Sequence, residues 1–169
     1  MIVNPPAPPL CAASDGTQLR RVFGRFPSGV VAVCAEISGQ PVGTLVSSFA
    51  SVSLQPPLAS VCVMDTSRSW SQLREAPRLG VSVLGDGHQD LCRQFSSPRD
   101  RFAGVSVSTT ADGAVLLPEA SAWLDCSIYD EITAGDHTIV LLKIEALYAD
   151  DTTATPLVFC QSRYHRLSA

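Results

Sequence analysis

Six short runs of β-branched and apolar residues, each cut off by a turn signal, leave this chain few folds to choose from. They are VVAVCAEI (30–37), LASVCVM (58–64), LGVSVLG (79–85), SAWLDCSIYDEI (121–132), HTIVLLKIEAL (137–147) and PLVFC (156–160). Runs of this length and composition read as strands. A seventh, GTLVSSFASVSLQPP (43–57), also reads as a strand, but it carries Thr44, Ser47, Ser48, Ser51 and Ser53 and stops on two prolines. Only short helices interrupt the pattern. The first begins at Asp15, with Gln18 three residues on as a capping box. Leu19, Val22, Phe23 and Phe26 then form one apolar face before PSG at 27–29 ends it. SRSWSQLREA (67–76) stops before Pro77, and DGHQDLCRQF (86–95) opens on Asp86 and Gln89, a second capping box. Helices and strands do not alternate as βαβ units. The fold class is therefore mainly β: a closed antiparallel barrel with a few short peripheral helices.

The chain has 169 residues, 46% of them hydrophobic and 17% charged. That composition predicts a packed core and one domain. Residues 1–14 read as a flexible proline-rich tail and 15–169 as the domain. No apolar run reaches the roughly 18–20 residues that cross a bilayer, and MIVNPPAPPL lacks the basic start and apolar centre of a signal peptide. The expectation is a soluble, cytoplasmic protein. A net charge of −4 without a basic stripe argues against nucleic acid as a partner. Arg20, Arg21 and Arg25, like Arg163 and Arg166, read as solvated faces. Six cysteines are present with no CxxC pair, and several lie inside apolar runs. They read as free, mostly buried thiols. Neither they nor His88, His137 and His165 have metal-ligand spacing, so no metal site is expected. There is no GxGxxG and no P-loop.

Strand alternation through the hydroxyl-rich run puts Leu45, Ser47, Phe49, Ser51 and Ser53 on one face. Thr44, Val46, Ser48, Ala50, Val52 and Leu54 fall on the other. The first face admits two readings. It is a solvated outer wall, or it is a row of neutral hydrogen-bonding groups for a phosphate or a flat heterocycle.

The stretch GTLVSSFASVSLQPP resembles the signature strand and loop of the flavin reductase-like, split-barrel FMN-binding family. Other segments agree in order: FPSGVVAV before it, DTSRSWSQL after it, and LGVSVLGDGHQDLCRQF with its closing phenylalanine. AWLDCSIYDEITAGDHTIVLLKIEAL contains the family's Gly-Asp-His motif, and PLVFCQSRYHRL its closing tyrosine. The resemblance covers residues 18–167 and implies an antiparallel split barrel of Greek-key type. It implies an NAD(P)H:flavin oxidoreductase that passes hydride from NADH or NADPH to FMN or FAD and supplies a separate monooxygenase. The alternative is a flavin-binding protein of the same fold without turnover. The resemblance also implies a homodimer. It assigns flavin contacts to Thr44, Ser47, Ser48, Phe49, Ala50 and Ser51. Ser67 and Ser69 fall at the phosphate end, or they cap a helix. Phe95 packs beside the flavin, or it is core. AGDH (134–137) is simply a hairpin turn, or His137 in it is the catalytic residue facing the nicotinamide, with Asp136 forming the turn or orienting the histidine. Tyr164 borders the same pocket, and His88 and His165 read as surface residues.

Overall fold

The computed structural model describes residues 8–97, 100–149 and 155–167. In chain order the elements are α1 (Gly16–Phe23), β1 (Ser28–Gly29), β2 (Val31–Ile37), β3 (Gln40–Val46), β4 (Ala50–Leu54) and β5 (Pro57–Met64). Next come α2 (Arg68–Leu73), β6 (Leu79–Val83), a 3-10 turn (Asp86–His88), α3 (Gln89–Phe95), β7 (Ser108–Thr109) and β8 (Val115–Leu116). The long hairpin β9 (Ala122–Ala134) and β10 (His137–Ala149) follows, then β11 (Leu157–Cys160) and β12 (Arg163–Arg166). Of the tail read over 1–14, residues 1–7 lie outside the described residues, and 8–14 are exposed and belong to no helix or strand.

Seven strands form one antiparallel sheet in the order β3-β2-β6-β9-β10-β5-β4. The mainly β class with short helices is thus what the sequence predicts. Closure is a different matter: among the described residues no ladder joins the two edge strands. A flat sheet of this width would hold its edges about 29 Å apart at the usual strand spacing. Yet β3 and β4 are joined by residues 47–49 alone, which span at most about 14 Å from Val46 to Ala50. The sheet therefore curls. Inside the curl lie Val33, Val61, Leu79, Val81, Val140 and Leu142, all fully buried. A second cluster, including Cys34, Leu84, Phe95 and Leu117, fills the space between the sheet and the segments that follow β6.

Three local expectations change. Asp15 does cap α1, accepting from Thr17 N–H at 2.8 Å, but the helix ends at Phe23, so Phe26 falls beyond it. No residue of α1 is buried: Val22 and Phe23 are 63% and 67% exposed. Asp86 caps nothing, because 86–88 tighten into a 3-10 turn and its carboxylate pairs with Arg166 at 3.3 Å. His88 is not a surface residue. It is buried, with Nδ1 accepting from Gly85 N–H at 3.2 Å and Nε2–H donating to the Pro118 carbonyl at 2.9 Å. Both ring nitrogens are thereby satisfied, which is what lets an imidazole sit in a core. His165 is exposed, as predicted.

All six cysteines are free thiols. Burial pushes Cys34 and Cys126 up to about 12 and Cys92 up to about 11, so the reactive thiolate is scarce at neutral pH. In the native protein iodoacetamide should alkylate exposed Cys11 first and leave these three intact, with all six labelled in denaturant. Peptide mass mapping reads the result. Labelling of Cys34 at the rate of Cys11 would contradict this packing. No helix among the described residues is long and apolar enough to cross a membrane.

Candidate functional site

The site starts where the hydroxyl-rich run leaves the sheet. Ser48 Oγ accepts from Cys62 N–H at 2.8 Å and donates to the Cys62 carbonyl at 3.1 Å. One side chain thus satisfies both backbone groups of a β5 residue, which a neighbouring strand would otherwise pair. The strand expected to run unbroken through 43–54 therefore breaks at 47–49. The proposed two-face alternation fails with it. Phe49 packs against the sheet core, while Ala50 and Ser51 lie exposed on β4.

A groove of about 470 Å³ opens beside the break. Thr44, Leu45 and Val46 of β3 form one wall, and Cys62, Val63 and Met64 of β5 the other. Ser67, Ser69 and Arg101 close one end, and His137 also lines it. Gly43 sits directly behind this wall. A Cβ there would lie 2.6 Å from Cys34 Sγ and 2.9 Å from the Phe102 ring, so only glycine lets β3 lie this close to the inner layer. Phe95 belongs to that layer. It is 3% exposed, edge-on to Phe102 at 5.1 Å, and does not line the groove. Of the two readings of Phe95, core is the one the structure places.

Arg101 was not singled out from the sequence. Its Nη1 donates to the Gly43 carbonyl at 2.7 Å and to Ser69 Oγ at 2.5 Å. Those partners hold a half-buried guanidinium at the groove's polar end. Ser67 does two things there: its Oγ accepts from Trp70 N–H at 3.2 Å, capping α2, and it lines the groove. Two hydroxyls, a threonine and a fixed cation are the donor set a phosphate needs.

The imidazole is set by the β9–β10 turn. Gly135 takes φ 72° in the two-residue loop, and His137 opens β10 opposite Ala134. Asp65 N–H donates to the Asp136 carbonyl at 3.2 Å and Thr138 Oγ1 donates to Asp65 Oδ1 at 2.8 Å, tying the hairpin to the end of β5. Asp136 Oδ1 lies 2.7 Å from His137 Nδ1. That hydrogen bond, then the charge of His137 and, more weakly, that of Arg20, hold the Asp136 carboxyl below its ordinary range. An ionised carboxylate only accepts, so Nδ1 carries a proton and Nε2 is left for a ligand.

Ser47 and Tyr164 meet in a smaller hollow of about 150 Å³ that shares Leu45 and Val46 with the groove. Tyr164 leans on Phe159 at 5.3 Å, and burial raises its phenol. The structure therefore gathers Thr44, Ser67, Ser69 and His137 in one groove, with Ser47 and Tyr164 next door.

A curled antiparallel sheet thus carries hydroxyls and a fixed guanidinium in one groove, with an oriented imidazole beside them. The flavin reductase like domain model matches residues 23–168. The chain belongs to that family. It is 37% identical over 134 residues to the stachydrine N-demethylase reductase subunit of Rhizobium meliloti, covering 78% of this chain and 58% of that protein. It spans 43% of another R. meliloti relative, so it matches only about half the length of these two. A flavin reductase of Pseudomonas putida is 33% identical, with 94% of each chain covered. Among solved structures, the NADH:FAD oxidoreductase of Streptomyces globisporus C-1027 superposes with a TM-score of 0.88 at 36% identity, covering 98% of this chain and 100% of that one. The same oxidoreductase has been solved with NAD and FAD fragments.

Proposed function

We propose that this protein is an NAD(P)H:flavin oxidoreductase that supplies reduced flavin to a separate monooxygenase. The observation that carries the proposal is the joining, in one groove, of a phosphate-type donor set on Arg101, Ser69, Ser67 and Thr44 with the oriented imidazole of His137. When both molecules are bound, the cofactors supply the chemistry, hydride passing from nicotinamide C4 to flavin N5. The chain's residues position them. Arg101 and the hydroxyls would hold the phosphate of FMN or FAD, and the neutral walls of β3 and β5 would face its ring. Asp136 fixes the ring of His137, whose Nε2 orients the nicotinamide. Ser47 and Tyr164 line the adjoining hollow. No proton relay is required of the side chains, because positioning two rings in contact is most of the work. Relatives whose names state NADH:FMN and NADH-dependent FAD reduction, and a monooxygenase reductase subunit, support the reading.

The test mixes purified protein with FMN or FAD and NADH or NADPH and follows nicotinamide absorbance. No flavin-dependent oxidation with either donor sinks the proposal. Flavin binding without oxidation points to the alternative, a flavin-binding protein of the same fold. His137→Ala should raise the KM for the nicotinamide about tenfold, the loss of one charged or well-oriented hydrogen bond, and leave the KM for flavin nearly unchanged. An equal rise in both contradicts the assigned role.

The same reading includes closure of the curled sheet as a split barrel, residues 15–169 as one domain, and a homodimer. Exposed Leu54, Leu147 and Tyr148, at 92%, 70% and 63%, are apolar surface that a second copy would cover. Sedimentation equilibrium of the whole chain tests the dimer, and a monomer at micromolar concentration would refute it. Free thiols throughout support a reducing, cytoplasmic setting.

A further inference from the structure

The candidate groove does not end at Tyr164. The hollow holding Ser47 and Phe159 continues into a depression of about 300 Å³ bordered by Phe23, Phe26 and Arg20. That depression shares Arg20, Gly24 and Ser162 with a further pocket of about 330 Å³, lined by Arg20, Arg21, Gly24, Arg25, Gln161 and Ser162.

The backbone under this pocket is fixed. Gly24 N–H donates to the Arg20 carbonyl at 2.9 Å, and the Gly24 carbonyl accepts from Gln161 N–H at 2.8 Å. The end of α1 is thereby docked on the β11–β12 turn, where Gln161 and Ser162 take φ 52° and 61°. Three guanidiniums surround this junction and no carboxylate lines it. Among the described residues none of the three forms an ion pair, as is also true of Arg68, Arg101 and Arg163, while Arg74, Arg78, Arg93 and Arg166 do; Arg20 acts only at longer range, on Asp136. The negative end of α1 accounts for cations in its last turn, at Arg20 and Arg21. It does not account for Arg25 beyond the helix, nor for Phe23 and Phe26 standing 67% and 78% exposed beside the charges. Like charges gathered in one pocket repel unless an anion joins them. Arginine forks suit phosphate oxygens, and exposed aromatic rings suit a stacked base.

We propose that the arginine pocket binds the adenosine diphosphate portion of a dinucleotide whose reactive ring lies in the groove. The inference rests on the flavin–nicotinamide reading above. Two molecules carry this portion, FAD and the reduced nicotinamide dinucleotide. Phe23 or Phe26 would stack the adenine, and Arg20, Arg21 and Arg25 would neutralise the diphosphate.

Calorimetry with ADP as the probe tests this without turnover. The wild-type protein should bind ADP, and the triple variant Arg20→Gln, Arg21→Gln, Arg25→Gln should lose at least about tenfold in affinity. Phe23→Ala with Phe26→Ala should lower ADP affinity toward that of inorganic pyrophosphate. All five side chains are exposed, so both variants should melt as the wild type does. Steady-state kinetics then assign the source. If the portion belongs to FAD, the double variant Arg21→Gln, Arg25→Gln, which spares the Arg20 charge felt by Asp136, raises the KM for FAD and leaves FMN and NADH unchanged. If it belongs to the nicotinamide dinucleotide, the variant raises the KM for NADH with either flavin, but not that for reduced nicotinamide mononucleotide. Absent ADP binding by the wild type, or equal affinity in the triple variant, overturns the proposal. ADP binding without NADH oxidation by the wild type instead overturns the reductase reading and leaves the pocket standing.

Discussion

Gly80→Ala should cost about 3 kcal/mol or more, near or above the top of the range for overpacking a core. The corresponding fall in melting temperature is about 6–12 °C for a domain of this size. The reason is one contact. A Cβ on Gly80 would stand 2.1 Å from the Val115 carbonyl oxygen and 2.9 Å from Leu116 Cδ2. The obstacle is backbone, so no rotamer change relieves it. Strand β8 would have to move out by more than 1 Å to reach ordinary contact distance, about 3.4 Å or beyond. It cannot move alone, because Val115 and Leu117 are buried in the inner cluster with Cys34, Leu84 and Phe95. On its other side Gly80 pairs with Cys34 of β2 and Asp125 of β9, so β6 is held in the middle of the sheet. Gly87→Ala is the control: nothing lies within 4 Å of its would-be Cβ and its φ is ordinary. Urea titration of both variants reads the difference. A Gly80→Ala protein as stable as Gly87→Ala would show that β8 does not pack on β6 as described.

Arg101→Ala should weaken FMN binding about 10–100-fold, the loss of one or two charge-assisted hydrogen bonds to phosphate. Riboflavin, which lacks the phosphate, should bind both proteins equally. That comparison separates a phosphate contact from general damage to the groove. Arg101→Lys should fall between, since a lysine keeps the charge but not the fork that reaches Gly43 and Ser69 together. Fluorescence quenching of each flavin on titration with protein gives the constants. Unchanged FMN affinity in Arg101→Ala would remove the guanidinium from the site.

Much of the fold was legible because strand signals are local. β2, β5, β6, β9 and β10 each fall on a run of apolar and β-branched residues bounded by glycine, proline or polar turns, within a residue or two of their predicted ends. The Gly135–Asp136 hairpin was legible for the same reason. The break at 47–49 was not. GTLVSSFASVSL has an unbroken strand pattern, and what ends the pairing is a hydroxyl bond from Ser48 to Cys62, fourteen residues away. His88 was misread as exposed because its partner Pro118 is thirty residues distant. Arg101 lies in a stretch with neither strand nor helix periodicity. Nothing in RDRFAG shows that the loop folds back to the Gly43 carbonyl, 58 residues earlier in the chain.

By itself, then, the order of apolar runs and turn residues determined an antiparallel β protein, its long hairpin and the place of His137 at the hairpin's tip. Those outcomes depend on periodicity and turn chemistry among near neighbours. Only the tertiary structure decided which hydroxyls share a groove, which arginine closes it and which aromatic ring is core. These depend on the curl of the sheet, which brings β3, β5, α2 and the 100–102 loop together across sequence separations that no local pattern encodes.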